Sequence, residues 1–239
     1  MKKTLAVSVL AIAAAVPAFA QEASPLTFNV GAVSDYRYRG ISQTRLKPAL
    51  QGGIDYAAPS GFYAGAWGST IKWIKDAGGD ADVEIDVYGG YKAEVAKGLV
   101  LDVGLLQYVY PSHELGISPD TLEAYAAVSV GPVTAKYSHS TTNLFGIADS
   151  KGSGYFDLAA NVDLGDGMTL TPHVGHQTVR RNAAASYTDY SLTLAKDFSG
   201  LVVSGAVVGT DAEKAAYTSA AGAKFLGKTG LVLGLKKTF

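Results

Sequence analysis

Apolar and polar residues alternate along nearly the whole chain, and this period of two is the feature that most limits its fold. In residues 82–87 the odd positions are apolar and the even positions are acidic, whereas in 121–126 the even positions are apolar. Successive side chains of a strand point to opposite faces, so the alternation predicts strands with one polar and one apolar face. Helical periodicity of any length is almost absent. We therefore expect an all-β protein.

Twelve alternating segments can be counted, and the connections between them fall into two length classes. Each even-numbered segment is followed by a short turn, and each odd-numbered segment by a longer polar loop. Short turns at one end and long loops at the other are typical of outer-membrane barrels, which in bacteria have an even number of strands. The pattern predicts a transmembrane antiparallel up-and-down β-barrel of about twelve strands with both termini in the periplasm. The segments lie near 26–39, 48–57, 61–70, 81–92, 99–109, 121–130, 133–140, 154–163, 168–178, 187–196, 200–209 and 224–239.

A secreted soluble β-sandwich or lipocalin-like barrel would also alternate, so the alternation alone leaves that class open. Charged residues make up only 17% of the sequence, against about 25% in a typical soluble domain. A soluble barrel directs its apolar face inward and needs more charge on its outer face. In lipid, a closed barrel is also the one β structure that satisfies every backbone group. These features favour the membrane barrel.

The first twenty residues have the pattern of a secretory signal peptide. Two lysines precede an apolar run over 5–16, and Ala18 and Ala20 form a small-x-small cleavage pattern. The run is shorter than the ~20 residues of a spanning helix, so an N-terminal anchor is the weaker interpretation. We expect residues 1–20 to be removed and residues 21–239 to form a single barrel domain in the bacterial outer membrane.

Composition and motifs exclude or disfavour several classes of function. The sequence has no cysteine, which excludes a disulfide framework, a thiolate metal site and a cysteine nucleophile. Its formal net charge of −1 argues against nucleic acid as a partner, because binding it normally requires a basic face. The G-x-S-x-G hydrolase motif is absent, and we expect neither an enzyme nor a cofactor.

A group of acidic residues, at Asp76, Asp80, Asp82 and Glu84, loosely resembles a calcium-binding loop. The group lacks the full EF-hand pattern. A polar loop that enters the acidic face of a strand explains the spacing better, and we expect no metal site there.

Aromatic residues are predicted to form a rim at each end of the lipid-facing surface. Phe239 also ends an alternating apolar segment, which resembles the assembly signal of outer-membrane proteins. The third segment is ambiguous, because Tyr63 and Trp67 share one face while the alanines of the other face are apolar too. The outer rim is predicted to contain Tyr36, Tyr38, Tyr137, Phe156 and Tyr190, and the inner rim to contain Tyr56, Tyr91 and Phe239.

Five stretches of the sequence together suggest a family. They are Ser-Asp-Tyr-Arg-Tyr-Arg-Gly-Ile-Ser-Gln-Thr at 34–44, Gln-Gly-Gly-Ile-Asp-Tyr at 51–56, Ser-Gly-Phe-Tyr-Ala-Gly-Ala-Trp at 60–67, Glu-Ile-Asp-Val-Tyr-Gly-Gly-Tyr at 84–91 and Lys-Thr-Phe at 237–239. These stretches resemble the TorF family of porins. The likeness extends over the chain after the signal peptide and is densest in 26–110. It implies an outer-membrane barrel with a channel role, and it implies no catalytic residues.

The polar face of each predicted strand should line the barrel lumen. Strand direction places all of the candidate carboxylates except Asp86 near the outer mouth, at the level of two arginines. The alternation also predicts that His173 faces the lumen and has no partner there. Because rings of charge select ions, the surplus of carboxylates predicts a mild cation preference that fades as salt rises. The same charges could instead pair across a plugged, structural lumen. The candidate pore-lining residues are Arg37, Arg39, Asp82, Glu84, Asp86, Glu123, Asp157 and Asp189.

The sequence therefore predicts a porin-like channel for the passive passage of small hydrophilic solutes or ions across the outer membrane. The alternative is a non-conducting outer-membrane barrel whose extracellular loops bind partners or surfaces. The expected partners are outer-membrane lipid, small hydrophilic solutes and, during biogenesis, the barrel assembly machinery.

Overall fold

The chain forms a closed barrel of twelve antiparallel strands, which confirms the predicted all-β fold class. The computed structural model describes residues 25–239, so the predicted signal peptide at 1–20 lies outside the described residues. The strands are β1 Leu26–Val33, β2 Ala49–Ala57, β3 Phe62–Thr70, β4 Val83–Ala96, β5 Leu99–Val109, β6 Thr121–Val130, β7 Val133–Ser140, β8 Gly154–Ala160 with its continuation Val162–Gly165, β9 Met168–Thr178, β10 Tyr187–Phe198, β11 Leu201–Thr210 and β12 Gly230–Thr238.

Each strand pairs with its neighbours in sequence, and the last strand pairs with the first. Leu235 of β12 lies opposite Ala32 of β1 on one side and opposite Val203 of β11 on the other. The two parts of β8 flank Asn161, and both pair with β9. The wall therefore closes on itself, so its backbone amide and carbonyl groups are hydrogen-bonded within the barrel, as lipid requires.

Small elements lie in the connections between strands. A one-turn helix, α1, covers Trp73–Asp76, and a 3-10 turn covers Ala183–Ala185. Two short ladders pair Arg37–Tyr38 with Ile41–Ser42 and Thr218–Ser219 with Lys224–Phe225. Within the described part of the chain, no helix has the length and apolar character needed to cross a membrane.

The connections differ in length between the two ends of the barrel, as the sequence predicts. At the short-turn end, Ser199 and Gly200 have φ angles of 56° and 87°, and a two-residue type I′ turn requires positive φ at both positions. The periplasmic location of this end stays a prediction. The long connections at the other end, called the loop end below, cover 34–48, 71–82, 110–120, 141–153, 179–186 and 211–229.

The outward face of the barrel is apolar, and the inward face carries the polar side chains. Leu194 and Leu233 are 49% and 55% exposed, whereas their inward-facing neighbours Thr193 and Val232 are buried. The same outward exposure recurs on the other strands, for example at Val103. Soluble proteins rarely expose such a continuous apolar surface, and outer-membrane barrels carry an apolar band of this kind. The wall is thus built to face lipid.

Aromatic residues are exposed at both ends of this outward face. Near the loop end they include Tyr137, Phe156 and Tyr190, and near the short-turn end they include Tyr56, Tyr91 and Phe239. The outward positions predicted for Tyr36 and Tyr38 are wrong. The first strand ends at Val33 rather than at residue 39, and the chain then turns into the lumen, where Tyr36 is only 7% exposed.

The ambiguity of the third segment is resolved by packing. Tyr63 and Trp67 of β3 face the lumen, where Trp67 packs edge-on against Tyr36 with ring centroids 5.4 Å apart. Phe62 and the alanines of the opposite face are directed outward. Tyr36, which follows β1, is the inward aromatic partner of Trp67, and the sequence of β3 by itself does not reveal this contact.

Inward tyrosines lie over glycines of neighbouring strands. A Cβ added to Gly90 would lie 2.4 Å from the hydroxyl of Tyr63, and one added to Gly175 would lie 1.9 Å from the hydroxyl of Tyr155. Glycine in a strand interior commonly marks such a close approach. Each of these tyrosines therefore occupies the space that a side chain at the glycine position would fill.

This packing predicts a clear difference between two glycine substitutions. Gly175→Ala should displace the rigid ring of Tyr155 and lower the free energy of unfolding by about 1–3 kcal/mol, as overpacking does. Gly205→Ala is the matched control, because its Cβ would meet Leu233 at 3.7 Å, an ordinary contact. Urea unfolding of the two variants in lipid vesicles measures the difference. Equal unfolding midpoints for both variants and the parent would contradict the packing described.

Candidate functional site

The segment 34–47, called the inserted segment below, folds from the loop end into the lumen. Asp35 organises it by accepting hydrogen bonds from Ser42 Oγ at 2.5 Å and Thr44 Oγ1 at 3.2 Å, and by pairing with Arg37. A buried carboxylate needs such partners, so the chain turns back on itself after β1. The tip is tight, since Arg39 and Gly40 both have positive φ.

The tip of the inserted segment packs against β10 and β11 at the loop end. A Cβ on Gly40 would lie 2.8 Å from Asp189 Cβ and 2.4 Å from Thr210 Cγ2, so only glycine fits between them. The return half is held by backbone hydrogen bonds from Ser42 N to Leu226 O at 3.0 Å and from Lys72 N to Gln43 O at 2.8 Å. The segment therefore crosses the lumen and contacts two of the long connections.

Arg39 is the central contact between the inserted segment and the wall. Its guanidinium donates to Glu123 Oε2 at 2.7 Å and to Gln177 Oε1 at 2.6 Å. Its charge also lies over the rings of Tyr38 and Tyr155, 4.7 and 4.2 Å from the centroids. The residue is only 6% exposed. A buried ion pair of this kind is strongly sensitive to loss of one partner.

Tyrosine hydroxyls satisfy a second carboxylate in the outer lumen. Glu84 of β4 accepts a hydrogen bond from Tyr36 at 2.5 Å and another from Tyr110 at 2.7 Å. Two residues along the same strand, Asp86 is 8% exposed, and its Oδ1 has no hydrogen-bond partner among the described residues. Asp86 is thus the lumen carboxylate whose charge is least compensated by direct contacts.

A third group of charges joins β8, β9 and β10. His173 Nε2 lies 2.7 Å from Asp157 Oδ2, and its Nδ1 lies 3.6 Å from Asp189 Oδ1. Tyr155 donates to Asp189 Oδ2 at 2.9 Å. His173 faces the lumen as predicted, but the prediction that it lies there without a partner is wrong. Its partners lie on adjacent strands, and only the strand register could have revealed them.

The structure brings most of the predicted pore-lining residues together. Glu84, Asp86, Glu123, Asp157 and Asp189 face the lumen from alternate strands. Arg39 also lies in the lumen, although it comes from the inserted segment rather than from a wall strand. Arg37 is tied to Asp35 and donates to the carbonyl oxygens of Gly40 at 2.9 Å and Leu226 and Lys228 at 3.1 Å. It therefore holds the segment to a loop and does not oppose the carboxylates directly.

Asp82 is the pore-lining prediction that the structure corrects. Strand β4 begins at Val83, so Asp82 belongs to the preceding loop, where its side chain is 46% exposed. Lys72 and Lys75 each approach it to 2.6 Å. Hydrogen bonds from these two ammonium groups hold the pKa of the Asp82 carboxyl below its usual range.

The acidic group at Asp76, Asp80, Asp82 and Glu84 does not converge. Asp76 pairs with Arg45, whereas Glu84 is buried in the lumen. Among residues 25–239, no cluster of three or more histidine, cysteine, aspartate or glutamate side chains has an arrangement that could hold a metal ion.

The lumen towards the short-turn end is less tightly filled. Tyr63 donates to Asp102 Oδ1 at 2.5 Å and also contacts the hydroxyl of Tyr125, and Tyr88 bonds Asp55. Here the charged residues Asp55 and Asp102 are half-buried. The inserted segment thus divides the interior into a packed outer part and a looser inner part.

Removing Arg39 should release the inserted segment. Arg39→Ala leaves Glu123 buried without its cation, and such a loss costs about 3–5 kcal/mol. The double variant Arg39→Met with Glu123→Met removes both charges and should cost less. Hydrogen exchange of the amides in 34–47 measures docking of the segment. Protection that stays at the parent level in Arg39→Ala would show that this ion pair does not hold the segment.

Comparison with known proteins places this barrel in a family. No curated protein matches the sequence. The fold is similar to a KdgM porin (TM-score 0.58, 7% identity, covering 89% of this chain and 99% of the porin) and to a NanC porin (TM-score 0.56, 9% identity, covering 90% and 98%). Because the identities are this low, the two matches establish a shared fold alone. The TorF assignment stays a prediction. The model of a family described as "Bacterial protein of unknown function (Gcw_chp)" matches residues 18–239, and the chain belongs to that family.

Proposed function

We propose that the barrel is a bacterial outer-membrane channel for the passive passage of small hydrophilic solutes or ions. The observation that carries the proposal is a closed twelve-strand wall around a lumen lined by ionisable side chains. A polar interior is typical of porins, and twelve strands enclose more space than the eight-strand barrels that side chains fill. The resemblance to TorF porins supports the same role.

The proposed orientation places the loop end outside the cell and both termini in the periplasm. Outer-membrane barrels have short periplasmic turns and longer extracellular loops, and this barrel has the corresponding asymmetry. In this orientation the inserted segment forms the constriction on the extracellular side. Solutes would meet it before they reach the looser inner part of the lumen.

Charge at the constriction should favour cations. Five carboxylates face this part of the lumen, and the cations at the same level are Arg39 and Lys136, which lies opposite Asp157. Charges act over about 8–10 Å at physiological salt, so the preference depends on a narrow passage. With these five carboxylates ionised, the net charge of the constriction is negative whether His173 is neutral or protonated.

Reversal potentials in planar bilayers test the proposal. We expect ion conductance with a mild cation preference at low salt. Asp86→Asn should weaken that preference, because Asp86 faces the lumen. Asp82→Asn is the matched control and should leave it unchanged, because Asp82 pairs with lysines in a loop. Anion preference in the parent protein, or equal effects of the two variants, would overturn the lumen assignment.

One structure similar to this chain, with a TM-score of 0.55 and 6% identity, is described as a KdgM porin in complex with disordered oligogalacturonate. That acidic oligosaccharide is therefore an informative first solute. A net negative constriction predicts that it passes more slowly than a neutral oligosaccharide of equal length. Vesicle swelling assays with both sugars measure the difference.

A non-conducting barrel whose loops bind partners is the second candidate, and the packing of the outer lumen favours it. Glu84, Glu123 and Asp189 are each 2% exposed, so water has little access to them while the segment is docked. Conductance that is absent from the parent and from Arg39→Ala would support this candidate over the channel.

We further propose that the barrel assembly machinery recognises Phe239. The amide of Phe239 donates to Phe28 O at 2.8 Å, while the residue is 70% exposed on the outward face of the barrel. Phe239→Ala should lower the yield of heat-modifiable barrel at native expression. Phe198→Ala is the control, since Phe198 is an exposed aromatic at the same end. Equal losses would indicate that both residues act only as membrane anchors.

A further inference from the structure

A basic groove lies at the loop end, between the adjoining ends of β2 and β3 and the connection 211–229. Its volume is about 490 Å³, which is within the usual range for small-ligand pockets. Cationic side chains line it at Arg45, Lys47, Lys72 and Lys224, and small residues line it at Ala221 and Gly222. No carboxylate is among the lining residues, so the groove is distinct from the acidic lumen.

The charges of the groove are only partly compensated by neighbours. Arg45 pairs with Asp76, and Lys72 pairs with Asp82. The side chains of Lys47 and Lys224 form no ion pair within residues 25–239. The groove therefore has a local excess of positive charge, which attracts anions.

A buried carboxylate holds the two sides of the groove together. Asp76 of α1, with a side chain 7% exposed, accepts from Arg45 Nε at 3.0 Å, from Arg45 Nη2 and from Ser219 Oγ at 2.6 Å. The two contacts with Arg45 use two of its five N–H donors, and the others remain for a ligand. Gly222 keeps one side open, because a Cβ there would meet nothing within 4 Å.

We propose that this groove binds the phosphate group of a small solute or of a lipid headgroup. Phosphate carries up to two negative charges and three acceptor oxygens, which match the two uncompensated ammonium groups and the fixed guanidinium. Arginine and lysine are the usual phosphate-binding residues. The site goes beyond the channel function, because binding here does not depend on whether the barrel conducts.

Titration of the full barrel in an uncharged detergent tests the site, with inorganic phosphate and glucose 6-phosphate as probes. Binding should weaken as ionic strength rises. Lys47→Ala and Lys224→Ala should each weaken it about tenfold, the loss expected for one charge-assisted hydrogen bond. Lys228→Ala is the matched control, since Lys228 is exposed on the same connection and does not line the groove.

A second arm distinguishes the source of the phosphate. The barrel is placed in nanodiscs that contain either neutral lipid or a phosphorylated lipid A, and lipid binding is compared among the same variants. Soluble phosphates that bind with losses confined to Lys47→Ala and Lys224→Ala support a solute site. Retention of phosphorylated lipid alone, with the same dependence, supports a headgroup site. Absence of binding in both arms, or an equal loss in Lys228→Ala, overturns the proposal.

Discussion

The hydrogen-bonding demand of a backbone in lipid is the constraint on which the rest of this structure depends. Water is absent there, so each amide and carbonyl of the wall must find a partner on a neighbouring strand. The pairing of β1 with β12 meets this demand by closing the sheet. Once the wall is closed, the two faces of every strand have opposite surroundings. Apolar side chains face lipid, and charged side chains are restricted to the lumen and the two ends.

Confinement of the charges then requires that they compensate one another. The outer lumen contains carboxylates from four wall strands, yet the cation in closest contact with them comes from the inserted segment. Arg39 pairs with Glu123, Tyr36 of the same segment bonds Glu84, and Gly40 packs against Asp189. The segment is therefore a structural counterion and a constriction at once.

The alternation predicted the fold because it is a local property of each strand. The number of strands, the difference between turns and loops, and the outward-facing residues follow from neighbours one or two positions away. The same reasoning fails beyond Val33, because the alternation continues through Tyr36 and Tyr38 although the wall has ended. A polar and aromatic stretch that continues the strand pattern looks the same whether it stays in the wall or turns into the lumen.

The sequence by itself determined a twelve-strand membrane barrel with an acidic interior, because lipid forces every strand to repeat one simple pattern. Only the tertiary structure decided which charges meet. Arg39 bonds Glu123 and Gln177, which are 84 and 138 residues away. His173 contacts Asp157 and Asp189 on the two neighbouring strands. Asp82 lies in a loop outside the wall strands, where it pairs with Lys72 and Lys75. Such contacts depend on strand register and on the path of the inserted segment, and the residues that decide them are far apart in the sequence.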